Sequence, residues 1–106
     1  MPKYLFQASY TEAGLKGLLK EGGSKRREAV AQTIKGLGGT LEAFYYAFGD
    51  RDVFAIADLP DDVSTTAFSL MVNAAGTAKV KTTVLITPEE VDQAVKTSVA
   101  YRPPGQ

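Results

Sequence analysis

The chain has 106 residues, 44% of them apolar and 23% charged, with 12 basic and 12 acidic side chains and no net charge. This is the composition of one ordinary globular domain with a small core, and it lacks the basic bias of a general nucleic-acid or membrane-surface binder. His, Cys and Trp are absent, which excludes disulfides, thiolate chemistry, Ser-His triads, and metal or haem ligation by His or Cys. No apolar run approaches the ~20 residues that span a bilayer. Met1-Pro2-Lys3 leads into a strand-like segment with no apolar leader, so a cytoplasmic protein without membrane partners is expected.

Residues 4–10 alternate Tyr4, Phe6, Ala8 and Tyr10 with Leu5, Gln7 and Ser9 and predict the first strand. Thr11 and Glu12 begin a short helix through Leu15, Leu18 and Leu19, which Gly22-Gly23 interrupts. Ser24 is the expected N-cap of a second helix reaching about Leu37. Its Val30, Ile34 and Leu37 form one apolar stripe, and Gly38-Gly39 ends it. Residues 40–48 and 53–59 read as the second and third strands, joined by a hairpin turn Gly49-Asp50-Arg51-Asp52. Pro60 stops the third strand, and Asp61 or Asp62 caps a helix with Val63, Ala67, Leu70, Met71 and Ala74 on one face. Residues 79–86, rich in Val and Thr, are the fourth strand. Thr87-Pro88-Glu89-Glu90 is a strong helix start, with a capping threonine, proline at the first helical position and glutamate placed for a capping box. A short helix to about Ser98 and a tail over residues 99–106 complete the chain.

The order is βαββαβ plus a C-terminal helix. It predicts an α+β, ferredoxin-like antiparallel sheet with helices on one face. The face opposite the helices should be polar if it meets water. Instead Leu41, Ala43, Tyr45 and Ala47 oppose Phe44, Tyr46 and Phe48 in the second strand, and Val53, Ala55 and Ala57 oppose Phe54 and Ile56 in the third. Both faces are apolar and the helices can cover only one. A second copy stacked sheet on sheet is therefore expected on the other. The competing occupant is the terminal helix, whose Val91, Ala94 and Val95 would cover it in part.

Few residues can carry chemistry. Asp50, Arg51 and Asp52 form a polar cluster that could meet a ligand or a partner's charge, although Asp in a turn more often bonds its own backbone. Gly49 is expected to serve the turn through positive φ, with Asp50 as its structural partner. Tyr10 and Tyr46 could donate hydrogen bonds in a cleft between sheet and helices, against the commoner role of packing their rings. Lys16, Lys20, Lys25, Arg26 and Arg27 give the first helices a basic bias; Glu12, Glu21 and Glu28 intersperse them, so they read as a solvated face. Gly22-Gly23-Ser24 before a helix is only a weak anion signal, without a phosphate-loop pattern. Asp50, Asp52 and Asp58 do not match the spacing of a known cation loop, and neither metal nor cofactor is expected.

Taken in order, Tyr10-Thr11-Glu12-Ala13-Gly14, Gly38-Gly39, Gly49 to Asp52, Pro60-Asp61-Asp62, Thr82-Thr83 and Pro88-Glu89-Glu90 resemble the GYD domain family, small bacterial proteins, over the chain to about Asp92. The family takes its name from Gly-Tyr-Asp in the turn; here Arg51 stands at the tyrosine's place. The resemblance implies a dimeric α/β-barrel fold and leaves the activity open, since fold alone does not supply one. The leading reading is a non-catalytic homo-oligomer over residues 1–98 that binds a small molecule or a protein, with Tyr10, Tyr46, Arg51 and Asp52 near the site. The alternatives are a cofactor-independent oxygenase or isomerase using a carboxylate or tyrosine in a cleft, and a purely structural oligomer.

Overall fold

A computed structural model describes residues 1–106. The elements are β1 (Lys3–Tyr10), α1 (Glu12–Glu21), α2 (Gly23–Gly36), β2 (Thr40–Tyr46), β3 (Val53–Asp58), α3 (Asp62–Ala75), β4 (Ala78–Leu85) and α4 (Pro88–Val95). The strands form one antiparallel sheet in the order β2-β3-β1-β4. This is the expected α+β architecture, with the ferredoxin-like strand order.

Register fixes which residues share a face. Tyr4, Phe6 and Ala8 pair with Ala57, Ala55 and Val53 on β3, and Phe6 and Ala8 pair with Thr82 and Val80 on β4. This is the helix-covered side. Tyr4, Phe6, Ile34, Val53, Ala55, Ala57, Leu59 and Phe68 make its buried cluster. A bulge at Glu42 shifts β2, so Leu41 pairs with Ala57 and joins Phe44 and Tyr46 on the covered side. The strict alternation expected for Leu41 fails there, because a bulge inserts one residue and turns the remainder of the strand over. Leu5, Phe54, Ile56, Ala43 and Tyr45 share the opposite, open face.

The helix ends follow local chemistry. Thr11, Asp61 and Thr87 accept from the backbone N–H of Gly14, Ser64 and Glu90, and Thr87 with Glu90 completes the capping box. At the end of α2, Gly38 at φ 87° lets its N–H reach Lys35 O at 2.9 Å while Gly39 N–H reaches Ile34 O at 3.0 Å, the Schellman arrangement. Ser24 is not the cap of α2. Gly22, at φ 89°, ends α1 and caps α2 at once, which leaves no linker in which Ser24 could sit extended.

The apolar face expected of α3 does not enter the buried cluster. Val63, Leu70 and Met71 are exposed, and Thr65 and Phe68 are buried instead. The Phe68 ring meets Phe6 edge-on, with centroids 5.0 Å apart. Phe68 is the α3 residue in the buried cluster, where it packs against the aromatic ring of β1.

The C-terminal segment does not fold over the open face. Every residue from 88 to 106 is exposed, including Val91, Val95, Val99 and Tyr101. The radius of gyration is 17.0 Å, against about 13 Å for a compact chain of this length. No helix is long and apolar enough to cross a membrane.

Candidate functional site

The helices stand apart on the covered face. α2 packs over β2 and α3 over β4, the two edge strands. The central strands β1 and β3 lie beneath the gap and contribute small side chains, Ala8, Val53 and Ala55. Small residues on the floor and separated helices above leave a cleft of about 500 Å³. The cleft is open to solvent along the α3 wall, where Ala67 and Met71 are exposed, and its volume lies in the range of small-molecule sites.

Val30, Ile34 and Leu37 of α2 make one wall; Ala67, Phe68, Met71 and Val72 of α3 make the other. The surface is apolar apart from Tyr10, Thr33, Thr77 and Arg26, and Arg26 is the one charged residue on it. Arg26 lies in the first turn of α2, four residues before Val30, so it continues the apolar stripe towards the end of the cleft. Its guanidinium makes no side-chain hydrogen bond; Glu21 lies 3.9 Å away at the limit of an ion pair.

Tyr10 closes β1 at the same end and is half-buried. Burial pushes its phenol well above the ordinary tyrosine range, the neighbouring Tyr46 adds to the rise, and Arg26 opposes it. The phenol therefore keeps its proton through neutral pH and can donate. Tyr46 does not line the cleft. Its hydroxyl donates to Gly23 O at 3.0 Å, and its ring meets Phe44 edge-on and stacks on Phe48. It fixes the start of α2, and hence Arg26, over β2.

Asp52 lies behind the cleft. Its carboxylate accepts the Tyr10 backbone N–H at 2.8 Å, its own N–H donates to Ala8 O at 2.8 Å, and Ala47 N–H donates to its carbonyl at 3.0 Å. Two of these bonds tie the hairpin to the end of β1, and the third closes the hairpin on itself. Arg51 is half-exposed in the turn, without a side-chain bond, and is outside the cleft. The Asp50 carbonyl accepts from Ser9 Oγ at 3.1 Å.

The positive φ expected of Gly49 is absent. Six residues, not four, join β2 to β3, and a loop of that length closes without a left-handed position. The three turn and strand-end aspartates are not assembled: Asp58, at the far end of β3, pairs with Lys3 at 3.0 Å. Of Tyr10, Tyr46, Arg51 and Asp52, expected near a site, Tyr10 alone lines the cleft, and Arg26, which the sequence reads as part of a solvated basic face, lines it too. The available signal was its spacing of four and eight residues from Val30 and Ile34, masked by the four other basic residues around it.

The first corner of the fold also acquires a reason. Thr11 N–H donates to Thr77 O at 3.0 Å and Thr11 Oγ1 donates to Gly76 O at 2.8 Å. The β1–α1 corner is thereby tied to the α3–β4 corner, with Gly14 buried between them. No curated protein and no solved structure matches the chain. The GYD domain model matches residues 4–95, nearly all of the βαββαβ unit and α4, and the chain belongs to the GYD domain family.

Proposed function

We propose that this domain is a homo-oligomeric binding protein that holds a small apolar molecule between α2 and α3 without catalysis. The observation that carries the reading is the apolar cleft of about 500 Å³ over the centre of the sheet. No carboxylate lines the cleft, and burial moves its one phenol, Tyr10, further from neutrality, whereas an acid–base catalyst works best with a pKa near the operating pH. That favours binding over the oxygenase or isomerase alternative.

The accessible surface supports a second copy. It measures 7470 Å², whereas a compact chain of this mass exposes about 5,700 Å². The excess is of the order buried in a stable protein interface. The exposed segment 88–106 contributes to that excess, and the exposed surface includes large apolar groups: Tyr45 on the open sheet face, Leu19 on α1, and Val91 and Val95 on α4. The open sheet face is the surface that a second sheet would cover.

Native mass spectrometry of the protein purified from its own host tests both parts. A dimer or larger species carrying a removable mass is expected. A monomer overturns the homo-oligomer. An oligomer without adduct that also fails to bind the neutral apolar dye Nile red overturns the cleft. Tyr45→Glu, at an exposed position, should leave the circular dichroism spectrum unchanged and shift the species towards monomer, because it places a charge on the open face.

A further inference from the structure

We propose that the cleft selects an amphipathic anion, an apolar body with one carboxylate head, and that Arg26 receives the head. This rests on the reading of the cleft as a ligand site. The apolar surface sets the body of the ligand, and Arg26 is the single charged residue along it. Arg26 is part-exposed at the end of the cleft, where water meets its donors; a carboxylate can replace that water with two parallel hydrogen bonds, and a neutral or cationic ligand cannot.

The free chain leaves Arg26 available. No side-chain acceptor bonds it, and Glu21 at 3.9 Å is too distant for a hydrogen bond. The first turn of α2 holds no acidic residue and no capping side chain, and Glu21, just before it, is the one carboxylate paired with Arg26. Tyr10 stands at the same end of the cleft with its phenol protonated, a second donor beside the cation. Tyr46 holds the helix start in place through Gly23 O. The two donors sit at one end of the cleft, so a chain-like ligand would lie with its head at Arg26 and its body towards Leu37 and Phe44.

Isothermal titration calorimetry with three probes of one length tests this: octanoate, octan-1-ol and octylammonium, at neutral pH. Octanoate should bind most tightly and octylammonium least. Arg26→Gln should weaken octanoate about 10- to 100-fold, as loss of a charge-assisted pair does, and leave octan-1-ol unchanged. Ala67→Phe, at an exposed position on the α3 wall, should weaken all three by filling the cleft. Equal binding of octanoate and octan-1-ol, or an octanoate preference that survives Arg26→Gln, overturns the anion assignment and leaves the cleft standing. Failure of all three probes to bind overturns both.

Discussion

Removing the Asp52 carboxylate should unfasten the hairpin from β1 without unfolding the chain. In Asp52→Ala the Tyr10 N–H loses its acceptor at 2.8 Å, while the backbone bonds from Asp52 N–H to Ala8 O and from Ala47 N–H to Asp52 O persist. A hydrogen bond to a charged group contributes about 1.5–3 kcal/mol. Asp52 is half-exposed and water can replace part of the loss, so a cost of about 1.5–2 kcal/mol is expected. For a domain of this size each kcal/mol moves the melting temperature by about 4–8 °C, so the expected fall is about 6–16 °C. Asp52→Asn keeps an acceptor oxygen and should lose roughly half as much. Thermal unfolding followed by circular dichroism measures both variants. If Asp52→Ala melts within about 2 °C of the parent chain, the carboxylate does not hold β1. The turn would then regain its claim to be a binding surface.

Two further outcomes are expected. The phenols of Tyr4 and Tyr10 are both raised, Tyr4 first by the Asp62 carboxylate it bonds at 2.6 Å and then by burial, Tyr10 first by burial. Above about pH 10 the unfolded tyrosines ionise and the native ones do not, so the native state binds more protons and stability falls as pH rises. Urea midpoints taken across that range should decline, and less steeply in Tyr10→Phe; a flat profile contradicts the assignment. Gly14→Ala should destabilise by about 3 kcal/mol, because a Cβ there meets the Thr77 carbonyl and the Tyr10 ring. Gly17→Ala, also in α1 but facing open space, should stabilise by about 0.5–1 kcal/mol. Equal urea midpoints for the two variants would refute the close corner packing.

The strands, their order and most helix ends were legible because each depends on local chemistry. Pro60, the capping Asp61, Gly38-Gly39 and the Thr87–Glu90 box act over one turn of chain, and their residues state their roles directly. The Glu42 bulge was not legible, because nothing in Leu41-Glu42-Ala43 separates a bulge from plain alternation. The rotation of α3 sets Phe68 against Phe6, sixty-two residues away in sequence and 5.0 Å away in space between ring centroids, a contact no local pattern announces. Arg26 was hidden for a related reason. Its neighbours in sequence are basic and solvated, while its neighbours in space are the apolar walls of the cleft.

Two separate contacts fix the elements at this end of the cleft. Asp52 holds the backbone of Tyr10, Tyr10 lines the cleft end, Tyr46 holds Gly23, and Gly23 begins the helix that carries Arg26. A residue need not touch a ligand to set where the donors stand; it need only fix the strand end or helix start that carries them. In the proposed site the acidic turn would then act through position rather than contact. Arg51, which holds the tyrosine's place in the turn and bonds no side chain, can then differ from tyrosine without disturbing the cleft, because neither contact involves its side chain.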